Sequence, residues 1–190
     1  IFKKYYTSYP KGVYAELASF NVGECIYATV PEPRLDQAPT YQAMKAYQDF
    51  MDVFPFSIHK GEAEKKLYDL QDKLVMKELI NARLYYNLGT YFGNCGTNGG
   101  NNYEACIVTA QNALKDYPFT TLREEFAVLI MKSKYELAVH SVKEKQAGRF
   151  QDAEDECYGF INEYPDSKEK ATAEKYIEKC KKFTAGIENF

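Results

Sequence analysis

The chain has no tryptophan and only two histidines among its 190 residues. His59 and His140 lie far apart in sequence and belong to no metal-binding or triad motif. An enzyme reading therefore lacks its usual acid–base group, and both histidines read as solvated surface residues. Apolar runs are short: none approaches the ~20 residues of a membrane-spanning helix. Neither a signal peptide nor an N-terminal cysteine to acylate is visible. Ile1 falls inside a helical pattern, so the visible chain reads as cut from something longer, with any targeting signal or anchor in the missing part. Charge of one sign is lacking too. The net charge is −3, with acidic and basic residues intermixed, and nucleic acid would call for a basic stripe. The cysteines, Cys25, Cys95, Cys106, Cys157 and Cys180, are odd in number and scattered, which is not a disulfide framework. Cys95 and Cys106 flank one loop and leave a single pairing open.

Aromatic residues are what the chain has in quantity, with 17 Tyr and 12 Phe. Their placement is periodic. Before Pro118 stand Tyr117, Ala113, Ala110 and Cys106; before Pro165 stand Tyr164, Phe160, Cys157 and Ala153; before Pro55 stand Phe54, Phe50, Tyr47 and Ala43. Steps of four, three and four put each set on one face of a helix. Tyr9, Tyr5 and Phe2 repeat the pattern before Pro10. Two residues past each proline comes a residue suited to a helix N-cap: Gly12, Ser57, Thr120 and Ser167. Proline ends one helix and the next begins at once. Helices joined by such short links lie antiparallel and share a core, the logic of a helical repeat array.

The spacing predicts an all-α, tetratricopeptide-repeat-like α-solenoid of antiparallel helix pairs, forming a single helical-repeat domain over 1–190. Residues 1–10 are the second helix of a truncated repeat. A repeat follows over 14–55, with helices at 14–29 and 41–54. Between them the proline-rich segment 30–39 carries Leu35, a lone apolar residue expected to tuck back on the core, and Thr40 is the expected N-cap. Gly23 is expected to admit a close neighbour. The next repeat, 58–118, has a long first helix over 58–93, with two stacked helices as the alternative, and a second helix at 103–117. The intervening glycine-rich loop, 93–102, lacks the lysine and the preceding strand of a phosphate-binding P-loop. The last repeat, 121–165, has helices at 121–146 and 151–163 with a turn at Gly148–Arg149. A lysine-rich capping helix at 168–183, with Ala171, Tyr176, Ile177 and Cys180 available to pack, closes the array, and the final residues are expected to fray.

These positions match the tetratricopeptide repeat, whose frame is about 34 residues, with Gly23 and Gly89 as the small residues of the first helices and each repeat stretched by a longer loop. The segments 31–57, 70–94 and 102–120 carry a closer likeness. The LDQ-x-x-T run before the repeat helix, the KE…A-x-x-YY-x-x-G-x-Y run and the YP-x-[ST] helix ends together resemble the BamD family of outer-membrane assembly lipoproteins, in its Bacteroides-type form. The resemblance covers essentially the whole chain. It implies a non-catalytic scaffold at the periplasmic face of the outer membrane, lipid-anchored through an N-terminal segment absent here. It implies docking on the periplasmic domains of a BamA-like barrel-forming subunit, and contact with unfolded outer-membrane protein segments, with no cofactor, metal or nucleic acid. The docking region corresponds to 103–165, where Lys115, Tyr117 and Arg123 stand beside a helix terminus.

A generic peptide-binding adaptor is the alternative. Asn21 and Asn87, each two residues before its glycine, with Arg83 one turn before Asn87, are candidates for a concave face gripping a peptide backbone or C-terminal carboxylate. Ordinary polar face residues are the plainer reading, and a carboxylate clamp would want several lysines there.

Overall fold

The computed structural model describes residues 1–91 and 101–186. Among them lie eight α-helices and no strand: α1 (Phe2–Ser8), α2 (Ala15–Tyr27), α3 (Ala38–Val53), α4 (Lys60–Leu88), α5 (Asn102–Asp116), α6 (Arg123–Val139), α7 (Lys143–Glu163) and α8 (Lys170–Thr184). The chain divides into two compact units, Ile1–Lys77 and Glu78–Phe190, with the division inside α4.

The repeat is visible in the turns. Tyr9, Phe54, Tyr117 and Tyr164 each end a helix with nearly the same backbone, φ between −122° and −134° and ψ between 62° and 67°. Each donates its N–H to the carbonyl four residues back, at 2.8–2.9 Å. The extended conformation is the one a residue before proline prefers. Gly12, Ser57, Thr120 and Ser167 then donate to the aromatic residue's carbonyl at 3.0–3.2 Å, closing the turn. The expected caps sit two residues before the helix N-caps. The hydroxyls of Ser57, Thr120 and Ser167 accept from the N–H of His59, Leu122 and Glu169, while the helices open at Lys60, Arg123 and Lys170. These are hydroxyl turns that lead into the helix rather than caps on it. Residues 41–60 and 151–170 even share the same succession of buried, half-buried and exposed positions.

In unit 1, α2 and α3 pack antiparallel. Tyr27 meets Tyr47, while Phe20, nearer the start of α2, meets Phe50, nearer the end of α3. Phe20, Ala43, Tyr47, Phe50, Ala63 and Leu70 form its core. The first half of α4 runs alongside α2 in the same sense: Ser57 donates to Glu16, His59 stacks on Phe20 at 4.6 Å, and Lys66 pairs with Glu24 at 3.5 Å. The α2–α3 pair is one of the antiparallel helix pairs that the spacing predicted. The close approach at Gly23 is also present, since an added Cβ would lie 2.7 Å from the Tyr47 ring.

In unit 2 the same logic recurs. Met131, Cys157, Phe160, Ala173 and Ile177 form one cluster, and Tyr135, Ala138, Phe150, Ala153 and Cys180 another. Tyr135 of α6 stacks on Tyr176 of α8 at 4.0 Å, and Lys132 pairs with Glu169 at 2.9 Å.

Several boundaries differ from the sequence reading. The 58–93 stretch is one helix, and it ends at Leu88. Gly89 lies just beyond it with φ +52°, its N–H on the Tyr85 carbonyl. It is a left-handed helix stop and not a small residue within a first helix. The helix expected over 121–146 stops at Val139, and α7 starts at Lys143, so Gly148–Arg149 is not a turn. Side chains make the difference. The Ser141 hydroxyl caps the Leu137 carbonyl, the buried Gln146 amide donates to Val139, and Arg149 donates to Ser141. Gly148 sits in open space inside α7; Gly148→Ala should therefore raise stability by about 0.5–1 kcal/mol, read as a higher denaturation midpoint.

Thr40 is not the cap of α3, which begins at Ala38 with Pro39 in its first turn and Gln37 at the N-cap. Leu35 is exposed and does not tuck back, and Ala171 is exposed as well. The loop expected at 93–102 lies outside the described residues up to residue 100. Cys95, with its pairing to Cys106, and the frayed end beyond residue 186 also lie outside them.

The LDQ-x-x-T run has a clear structural purpose. Gln37 is buried; its amide donates to the carbonyls of Glu32 at 2.8 Å and Leu35 at 3.0 Å, and its oxygen accepts from the Thr40 hydroxyl at 2.7 Å. One side chain thus locks the proline-rich segment onto α3. Gln37→Ala should cost about 2 kcal/mol, because it strands the buried Thr40 hydroxyl and releases the proline-rich segment from α3, although the Glu32 and Leu35 carbonyls keep the Leu35 N–H and Lys77 as donors. A thermal midpoint within a degree of wild type would contradict this.

Candidate functional site

The best-formed candidate is the α5–α6 turn. It is built as the other turns are, from an aromatic helix end, a proline and a hydroxyl residue. Arg123, the first residue of α6, donates to the Pro118 carbonyl at 2.9 Å and lies 3.5 Å from Glu163 at the end of α7. Its guanidinium stays partly exposed and braces one turn against the neighbouring helix end. Tyr117 is half-buried, and Lys115 is exposed in the last turn of α5, where a cation complements the helix dipole. Lys115, Tyr117 and Arg123 are therefore brought together around one turn, with Arg123 in a structural role and Lys115 turned to solvent.

Phe119 is the residue that sequence reasoning missed. It stands at the tip of this turn, 97% exposed. Phe56 occupies the same place in the α3–α4 turn at 99%, with Ile58 beside it at 91%. Lys11 and Asp166 hold that place in the other two turns. The available signal was this contrast at the residue after proline, where two of four turns carry a large apolar side chain that helical packing cannot use. A large apolar side chain held in solvent on a fixed turn is available to a protein partner as an anchor.

The other candidate set does not assemble. Asn21 lies within α2, its amide donating to the Leu17 carbonyl at 2.8 Å on its own helix. Asn87 is exposed in the last turn of α4. The equivalence between the two asparagines rested on Gly23 and Gly89 being equivalent; one is mid-helix and the other ends a helix. Arg83 is paired with Glu125 of α6.

His140 is exposed, as the sequence suggested, whereas His59 is not. His59 is half-buried against Phe20, and His140 stacks on Tyr103 at 5.8 Å with Glu136 at 3.7 Å. Burial raises the pKa of the neighbouring Tyr86 and Tyr103 hydroxyls, with the Glu136 carboxylate adding to it. Among the described residues, no group of three or more His, Cys, Asp and Glu side chains could hold a metal ion. No helix among them is long and apolar enough to cross a membrane.

Against known proteins, no protein-family model matches the chain, and no curated protein matches it.

Proposed function

We propose that the protein is a non-catalytic scaffold of outer-membrane β-barrel assembly, docking on the periplasmic domains of a BamA-like barrel-forming subunit through the α5–α6 turn. The observation that carries the reading is Phe119, held fully in solvent on a turn braced by Arg123, within the stretch 103–165 where the resemblance places docking. A braced turn supports binding because little order has to be gained when the partner covers it. The run of LDQ-x-x-T, the repeated YP-x-[ST] turns and the helix-pair architecture support the family resemblance. On this reading the protein works at the periplasmic face of the outer membrane, held there by a lipid anchor, and unfolded outer-membrane protein segments are further partners.

The test is binding of the chain to isolated periplasmic domains of the barrel-forming subunit, followed by calorimetry. The expected result is a one-to-one complex that Phe119→Glu weakens at least tenfold with the thermal midpoint unchanged. Absence of a complex, with tight binding to free C-terminal peptides instead, would favour the adaptor reading.

A further inference from the structure

A groove on unit 2 is distinct from the α5–α6 turn. Its first part, about 280 Å³, has an apolar floor of Ile107 and Val108 from α5 and Leu137 from α6. Lys134 and Asp152 line this part and also the next, about 310 Å³, which runs between α6 and α7 past Asp155, Glu156 and Gly159. We infer that this groove binds an extended segment of a partner protein, with large apolar side chains at one end and lysine or arginine at the other.

The apolar end asks for cover. Ile107 and Leu137 are buried, but Val108 above them is 51% exposed, and covering it removes apolar surface from water. At that end Glu104 and Arg149 offset each other in charge. The second part is different. Lys134 is already neutralised by Glu156, and Glu163, at the far end, by Arg123. Asp152 and Asp155 are exposed and have no ion pair among the described residues. The charge left over is therefore negative, and it is complemented by a basic segment.

Gly159 keeps the groove open. It is exposed on α7, and an added Cβ would meet nothing within 4 Å. Glycine at a helix interior costs about 1 kcal/mol against alanine, and here it preserves room for a ligand side chain. From Arg149 to Glu163 the groove wall follows α7 for about 21 Å at 1.5 Å per residue. An extended segment of about six or seven residues spans that length.

Fluorescence anisotropy with the full chain tests this, using a labelled heptapeptide of two leucines, two glycines and three lysines. Two sibling peptides replace the lysines by glutamates or the leucines by serines. The expected result is saturable binding of the first peptide and at least tenfold weaker binding of each sibling. Gly159→Leu, which fills the groove, should weaken binding at least tenfold. Asp152→Asn combined with Asp155→Asn should weaken it several-fold and flatten its salt dependence. Should Gly159→Leu lose its helical signal, Val108→Glu replaces it. No saturable binding, equal binding of the glutamate peptide, or wild-type binding by the filled groove would overturn the inference. So would a dimer in sedimentation that Gly159→Leu dissociates, which would assign the groove to a second copy of the chain.

Discussion

Tyr47→Ala should destabilise unit 1 by about 3–5 kcal/mol, the cost of deleting a fully buried aromatic ring. Tyr47 is 0% exposed. Its ring lies against Phe20 and Tyr27, and its hydroxyl donates to Glu24 at 2.6 Å. Truncation leaves a cavity and removes the hydroxyl that Glu24 accepts from, although Lys66 stays beside that carboxylate. The Gly23 contact makes the prediction specific. Gly23→Ala alone should cost about 1–3 kcal/mol, because its Cβ would press on a ring that cannot retreat. In the Tyr47→Ala background the same change should become neutral or stabilising, since the methyl enters the cavity and alanine favours the helix. Urea denaturation of the four proteins gives the cycle. Additive effects would mean that Gly23 and Tyr47 do not touch.

A second large effect is expected in alkali. Burial pushes the Cys157 thiol up to about 12 and the Cys180 thiol up to about 11, against about 8.5 in an unfolded chain. Above pH 8.5 the unfolded state releases both protons while the folded state keeps them, so stability falls as pH rises. The contribution is fully present below pH 8.5 and is lost on the way to the folded-state values. Each thiol accounts for about 1.4 kcal/mol per pH unit, so the combined loss by pH 11 is on the order of 6 kcal/mol. The hydroxyls of the buried Tyr47 and the half-buried Tyr176, also raised by burial, steepen the fall above their ordinary value of about 10. Urea midpoints between pH 8 and 11, measured under reducing conditions, check this. Cys157→Ala with Cys180→Ala should flatten the slope between pH 8.5 and 10, and an unchanged slope would contradict the assignment.

The helical architecture was legible because its signals are local and repeated. An aromatic residue, a proline and a hydroxyl residue fix each turn through the chain's own backbone, and the small and aromatic residues before them fix the buried face. Tyr47, Phe50, Ala113 and Phe160, named from spacing alone, are buried. What the sequence hid depends on side chains reaching across several residues. The end of α6 at Val139 rests on Ser141, Gln146 and Arg149, none of which is a helix breaker. Gly148 looked like a turn because glycine is usually punctuation, yet here it is a tolerated weakness on an open helix face. Gly89 carried the signature of a small packing residue and is one, since an added Cβ would lie 2.6 Å from the Tyr103 hydroxyl; what the spacing hid is its positive φ, which also makes it a helix stop.

The candidate site was less legible than the fold. Lys115, Tyr117 and Arg123 lie around one turn, and their roles depend on where the guanidinium points. Arg123 is tied along the surface to Pro118 and Glu163, which leaves Phe119 as the residue presented. Its exposure follows from the turn's geometry, because the residue after proline faces away from both helices. The paired asparagines failed for a related reason: their equivalence was inferred from counting to a glycine, and the two glycines have different conformations.

A photoreactive phenylalanine analogue in place of Phe119 would test the docking role in living cells, with the same analogue in place of the exposed Tyr41 as the reference. An ultraviolet-dependent adduct between position 119 and the barrel-forming subunit, much stronger than from position 41, is the predicted result. Equal yields from both positions, or adducts only with unrelated envelope proteins, would contradict a platform that docks through this turn.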